Sequence, residues 1–188
     1  YLDQIYLNII GIHNISNSLP AIGAGLEAGI PIESIKNTLM NFKGAKRRFE
    51  YKGSIHGVNI VDDYAHHPTE ITATLTSARS YTDKTLWCVF QPHTYSRTRK
   101  HLKEFARALS IADRIVLADI YAAREKDPGD ISSLDLAEEI RKYGKDVNYF
   151  SSFDEIESFL LENCINGDLL ITMGAGDIVI VGESLLGI

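Results

Sequence analysis

Two stretches of the chain gather residues that can do chemistry. The first is Ile60-Val-Asp-Asp-Tyr-Ala-His-His-Pro-Thr-Glu70, where two carboxylates, a phenol and two imidazoles follow a short β-branched run. A strand end that feeds a helix N-terminus is the standard ligand position of an open α/β sheet, and two adjacent His after two Asp also raise a metal site. In the plainer reading Asp62 caps a turn and the imidazoles are solvated loop groups. The second stretch, Gln91-Pro-His-Thr-Tyr-Ser-Arg-Thr-Arg99, sets Arg97 and Arg99 close to His93, just before or inside a helix start. A planar guanidinium grips carboxylate or phosphate through two donors, and helix N-termini favour anions. The alternative pairs Arg97 and Arg99 with Glu104 on the surface; it is the weaker reading for Arg97 and stays open for Arg99.

Four further segments bear on a site. Asp119–Glu125 and Gly174-Ala-Gly176-Asp177 each follow a strand pattern. The Gly-Ala-Gly run fits a tight strand-to-helix turn at least as well as a close approach of backbone to ligand. Upstream, Asn14 and Asn17 stand three apart at a helix start, where both amides can face one side. An amide can meet the edge of adenine, although a cap at Asn14 and a surface role for Asn17 explain the spacing as well. Lys46-Arg-Arg48-Phe-Glu50 can hold phosphates or serve as a charged linker.

The elements that must position these groups alternate. Strand patterns lie at Phe49–Lys52, Val58–Asp62, Leu86–Phe90, Arg114–Ala118, Val147–Phe150 and Leu169–Met173. Helical patterns fill Thr69–Ser80, Lys100–Ile111, Leu134–Tyr143 and Phe153–Asn163, and another follows Gly176; Pro68 and Thr69 open the first of these, with Thr69 as its cap. Alternation on this scale predicts an α/β fold: a mostly parallel six-stranded sheet with helices on both faces and an antiparallel hairpin at one edge. Before it, Tyr1–Ile10 reads as a strand, and two helices follow, one rich in small residues and one opening at Pro31. These helices have no sheet of their own, so residues 1–46 read as the end of a preceding domain and 47–188 as a second domain. Tyr1 in place of Met points to a piece of a longer protein.

Bulk properties narrow the function. The 188 residues are 45% hydrophobic and 23% charged with a net charge of -6, which disfavours a nucleic-acid or membrane-surface role. No stretch reaches transmembrane length and no signal peptide is visible. Cys88 and Cys164 lack metal-ligand spacing and read as small core residues in a reducing, cytoplasmic compartment.

Taken together, Gly11-x-His13-Asn14-x-x-Asn17, Gly44-Ala-Lys-Arg-Arg48-Phe-Glu50, Asp62-Asp63-Tyr64-x-His66-His67-Pro68-Thr69-Glu70 and Gln91-Pro92-His93-x-Tyr95-x-Arg97-Thr98-Arg99 resemble the motifs of the Mur ligase family, along essentially the whole chain. The resemblance implies a Rossmann-like C-terminal domain, preceded by a helical remnant of a central ATPase domain. It also implies the alanine-adding branch, in which ATP with Mg²⁺ activates UDP-N-acetylmuramate as an acyl phosphate that L-alanine attacks. By the same resemblance Asn14 and Asn17 would meet adenine, Arg48 the ATP phosphates and Asp63 the ribose. Tyr64, His66, His93 and Arg97 would line the site for alanine and the nucleotide-sugar carboxylate, with His66 and Arg97 as positioning groups rather than catalysts. The phosphate-cradling loop and metal ligands are absent from these residues, so this piece alone should be inactive. Ala65 stands where Gly is common in the family, and Thr94 where many members carry Arg, which puts a contact from that position in doubt. Two alternatives remain: a murein-peptide ligase, against which the Gln91–Arg99 motif argues, and a non-catalytic α/β module that binds an anionic metabolite.

Overall fold

The computed structural model describes residues 4–9 and 11–188, which form two compact units, residues 1–46 and 47–188. In the first, α1 (Ile12–Glu27) and α2 (Ile32–Asn41) are joined through Gly29 at φ 74°. The small residues of α1 serve close packing: a Cβ on Gly25 would stand 2.9 Å from Cδ1 of Ile35, which is buried. The strand expected over Tyr1–Ile10 is corrected. Residues 1–3 and 10 lie outside the described residues, and residues 4–9 form no strand. The described neighbours in this unit are helices, which offer no edge to complete a ladder.

The second unit contains β1 (Glu50–Ile55), β2 (Val58–Asp63), α3 (Pro68–Arg79), β3 (Leu86–Phe90), α4 (Tyr95–Lys100), α5 (Leu102–Leu109), β4 (Arg114–Leu117), α6 (Ser133–Arg141), β5 (Asp146–Tyr149), α7 (Phe153–Asn163), β6 (Leu169–Met173) and α8 (Val179–Leu186). The six strands form one sheet in the order β1-β2-β6-β3-β4-β5, with β1 antiparallel to β2 and the remaining pairs parallel. Every residue of β3 and of β6 is buried, as expected of central parallel strands covered on both faces. One core joins Val61, Cys88, Phe90 and Ile171 to Ile71 and Leu75 of α3, Phe105 and Leu109 of α5, and Leu136 and Ile140 of α6. The other joins Ile60, Trp87, Val89 and Leu170 to Ile156 and Leu160 of α7 and Val181 and Leu185 of α8. Alternate side chains of each strand thus feed opposite layers.

Capping residues set several helix starts. Ser132 and Asp135 form a capping box on α6, and Ser152 and Glu155 form one on α7. On α3 the cap is His67, not Thr69: the His67 ring accepts from the Thr69 N–H while Glu70 accepts from the His67 N–H. The helix expected over Lys100–Ile111 is two helices that break at His101 (φ −116°, ψ 25°), and Arg97 and Arg99 lie within the first of them. No helix among the described residues is long and apolar enough to cross a membrane.

Phe105 is fully buried, with its ring 5.7 Å from that of Phe90. Phe105→Ala should cost about 3–5 kcal/mol in a denaturant titration. A loss below about 1 kcal/mol would mean that the layer over Phe90 refills the cavity.

Candidate functional site

The carboxyl ends of β2, β6 and β3 are level, since Met173 registers with both Asp63 and Phe90. Because β1 runs antiparallel to β2 and Glu50 pairs with Asp62, residues 47–49 enter at this same end. Arg47 ties the loops there together. Its Nε donates to Asp62 Oδ2 at 2.9 Å, Nη1 to the Gly176 carbonyl at 3.0 Å and Nη2 to the Gly174 carbonyl at 2.8 Å. Asp62 is fully buried, and its other oxygen accepts from the Thr172 hydroxyl at 2.8 Å. Burial pushes the Asp62 carboxyl above its ordinary value, against the opposing pull of Arg47 and Thr172. Arg47 has φ 57°, and its carbonyl accepts from the Tyr64 N–H at 2.7 Å.

Asp63 also faces inward. It is 5% exposed; one oxygen accepts from the Ala65 N–H at 2.8 Å and the other from the Phe49 N–H at 2.8 Å. Burial raises this carboxyl too. A ribose contact at Asp63 therefore finds both oxygens already engaged. Ala65, 1% exposed, fits where a Gly was expected and leaves this bond in place. Tyr64 does face the site, with Arg47 5.1 Å and Arg48 5.7 Å from its ring centroid. Arg48 is exposed and makes no hydrogen bond or ion pair with the described residues, so its charge is available to an anion.

Histidines 66 and 93 meet across the end of β6 with ring centroids 5.9 Å apart. Nδ1 of His66 lies 3.0 Å from the Tyr64 carbonyl, which can only accept, so Nδ1 carries the proton and Nε2 is left as an acceptor. For His93 the assignment reverses. Arg97 Nη1, always a donor, lies 3.3 Å from His93 Nδ1, leaving the proton of the neutral ring on Nε2. Burial lowers the His93 pKa, and the charge of Arg97 adds to the effect. The His93 ring also stacks on Tyr121, centroids 5.5 Å apart and planes at 21°.

Thr94 holds a left-handed backbone at φ 72°, strained for a β-branched residue and typical of functional turns. Its N–H donates to the Tyr121 carbonyl at 2.9 Å, and its hydroxyl is directed to Glu125. Thr94 thus serves the loop, with no contact that replaces an Arg. Glu125 accepts from the Ser96 hydroxyl and, at 2.9 Å, from the Ser96 N–H, and these bonds hold its carboxyl below the ordinary value.

Sequence reasoning brought Tyr64, His66, His93 and Arg97 to one place, where the structure also puts them together. Asn14 and Asn17 belong to the first unit. Asn14 lies inside the first turn of α1, whose N-cap is Gly11, so the capping role for Asn14 is corrected; Asn17 is exposed. The side chain of His13 lies outside the described residues. Arg99 pairs with Asp130, away from Glu104. The Gly-Ala-Gly run is a packing turn: a Cβ on Gly174 would lie 2.8 Å from the Gln91 carbonyl, and one on Gly176 would lie 2.2 Å from Gln91 Oε1. Gln91 in turn exchanges two hydrogen bonds with Asp177. Arg47, Gln91, Tyr121, Glu125 and Asp177 lie in segments read from the sequence but were given no role of their own there; Arg47 differs from Arg48 by its backbone conformation, which composition does not reveal. Among the described residues no group of three or more His, Cys, Asp or Glu is arranged to hold a metal ion, so the adjacent His pair after Asp62 and Asp63 forms no such centre.

Residues 47–176 match the family described as Mur ligase, glutamate ligase domain. A UDP-N-acetylmuramate–L-alanine ligase of Lachnoclostridium phytofermentans is 59% identical over 186 residues, which cover 99% of this chain and 40% of that protein. A solved UDP-N-acetylmuramate–alanine ligase from Thermotoga maritima superposes with TM-score 0.83 at 26% identity, covering all of this chain and 40% of that one. A murein peptide ligase from Psychrobacter arcticus gives TM-score 0.67 at 27% identity over 97% of this chain and 38% of that one. The chain spans about 40% of the length of the curated relatives it matches.

Two outcomes follow from this geometry. Arg47→Ala strands a buried carboxylate and should destabilise the chain by about 3–5 kcal/mol in chemical denaturation, with Arg47→Lys restoring only part because one ammonium cannot span three acceptors. A loss under about 1 kcal/mol would assign Asp62 another partner. For His93, a native pKa below the ordinary 6.5 means that stability from the neutral ring is complete above that value and is lost as pH falls through the native midpoint. Denaturation of the chain between about pH 7 and pH 5 should show this loss, and His93→Gln should reduce it.

Proposed function

The chain belongs to the Mur ligase family, and from that premise we propose that it forms the C-terminal part of an ATP-dependent ligase that joins L-alanine to UDP-N-acetylmuramate. The observation that carries the reading is the meeting of two sequence motifs at one sheet end, with His66 5.9 Å from His93 and Arg97 on His93 Nδ1. In this reading residues 1–46 close a central ATP-binding domain and 47–188 form the amino-acid-binding domain.

The reaction sets demands that these side chains can meet. The muramate carboxylate takes the γ-phosphoryl group of ATP with release of ADP; the amine of L-alanine then attacks the carbonyl carbon, and phosphate leaves. Neither step needs a protein nucleophile; the first needs like charges held together, and the second a free amine correctly aimed. Arg97 offers its fork to the alanine carboxylate. His66, an acceptor at Nε2, suits the amino group, whereas His93, a donor at Nε2, suits an anionic oxygen. Tyr64 lines the same pocket. Arg48 is assigned to the ATP phosphates, and Asn14 and Asn17 to adenine. Asp63 is assigned to hold Phe49 and Ala65, since its oxygens are already bonded, and any contact with ribose is secondary to that role. Mg²⁺ does not fit the residues present, none of which are grouped as metal ligands among those described, so no step here runs through it. Free Cys88 and Cys164 agree with a cytoplasmic setting.

A murein-peptide ligase would use the same scaffold with a tripeptide as acceptor substrate. The 59% identity to an alanine-adding relative favours L-alanine. In the intact enzyme Arg97→Ala should raise KM for L-alanine by roughly a hundredfold, as expected for a lost charge-assisted pair of about 3 kcal/mol, with KM for ATP little changed. Equal effects on both substrates would give Arg97 to the phosphates, and turnover with tripeptide in place of L-alanine would replace the acceptor assigned here.

A further inference from the structure

Tyr121 stands outside the two motifs, 38% exposed, near the start of the loop that follows β4. Beyond the last residues of β3 and β4 the ladder gains one more rung, a parallel bridge between His93 and Tyr121. The Tyr121 N–H donates to the Pro92 carbonyl at 2.8 Å, and the Thr94 N–H to the Tyr121 carbonyl at 2.9 Å. Residues paired across neighbouring strands project to the same side, which is why the two rings stack. The phenol ring is also wedged against Gly176, where a Cβ would lie 2.8 Å from Tyr121 Cγ and 2.9 Å from Cδ2. Gly176 is in turn held through its carbonyl by Arg47. A contact path thus runs from buried Asp62 through Arg47, Gly176 and Tyr121 to His93 and Arg97.

We propose that Tyr121 is a positioning residue for the amino-acid site: its ring sets the plane of His93 and, through the Arg97–His93 contact, aims the guanidinium. This rests on the assignment of His93 and Arg97 to the substrate made above. A His ring without the stack can turn about its side-chain bonds, and Nδ1 then leaves Arg97. The groups that face His93 are Arg97, His66, Glu125 and Tyr121. Of these Tyr121 alone acts through a flat surface rather than a charge or an imidazole. Its hydroxyl makes no hydrogen bond with the described residues, so the ring and not the phenol does the positioning.

The test compares Tyr121→Leu with Tyr121→Phe in the full-length ligase and, by NMR, in this chain without substrates. Tyr121→Leu should raise KM for L-alanine about tenfold, the worth of one aromatic pair, and leave KM for ATP within about twofold; Tyr121→Phe should restore both. In the chain alone, the His93 titration midpoint should rise toward 6.5 in Tyr121→Leu and stay put in Tyr121→Phe. A Tyr121→Leu protein with His93 titration and KM both unchanged overturns the proposal. A midpoint that moves while KM for L-alanine holds supports the positioning of His93 and instead removes the amino-acid reading of the site. If Tyr121→Leu does not fold, the unsubstituted chain still decides: the His93 Cε1 proton should be displaced upfield by the stacked ring, and its absence overturns the proposal.

Discussion

One guanidinium holds the active end of this sheet together. Arg47 meets a fully buried carboxylate from β2 and two carbonyls from the turn after β6, three acceptors on two segments 110 or more residues away from one another along the chain. Only a planar group with donors at fixed angles can satisfy that arrangement at once. The desolvation of Asp62 is offset by the ion pair and by Thr172, and the turn carbonyls, which no helix or strand partner reaches, receive donors. With the Gly174–Gly176 turn so fixed, Gln91 and Tyr121 have a surface to lie against, and the imidazoles above them inherit their places.

The site built on this base divides its electrostatics. The buried carboxylates of Asp62 and Asp63 are spent on structure, each bonded to groups of the chain itself. What faces outward is mixed: Arg48, Arg97 and two imidazoles whose tautomers are opposite, with Glu70 beside His66 and Glu125 beside His93. Arg48 and Arg97 thus bring positive charge to this end of a chain whose net charge is -6. The lowered pKa of His93 follows first from its burial, and the Arg97 charge beside it adds to the effect.

The sheet was legible where one signal dominated. Leu86–Phe90 is an uninterrupted apolar run and Leu169–Met173 one broken only by Thr172, and both strands have those bounds. Phe153–Asn163 also has the bounds read from its helical pattern, and the structure shows Ser152 and Glu155 setting its start. The reading failed where long-range partners decide. An apolar run at the beginning of the chain suggested a strand, yet strand formation needs an edge that sequence does not display. His67 looked like a loop imidazole, but its ring nitrogen substitutes for a hydroxyl as a cap. Tyr64, His66, His93 and Arg97 were read from motifs dense in functional groups and lie together, whereas Asp63, expected to meet ribose, is buried with both oxygens bonded within the chain. Lys46, Arg47 and Arg48 present three similar cations in a row, and which one turns inward is fixed by φ at Arg47, a quantity invisible in composition.

The place of β6 has a consequence for how the molecule comes into being. It is the last strand in the chain and the third in the sheet, lying between β2 and β3. The helix α3 therefore carries the chain from β2 to β3 across a gap that only residues 169–173 can fill. During synthesis, everything up to α7 emerges with two open edges facing one another and with Arg47 lacking its turn. The binding end is thus assembled by the final crossover, and the long sequence separation of the β2–β6 ladder makes that closure a late event. A chain halted before Leu169 would hold every motif residue of the pocket and still have no pocket.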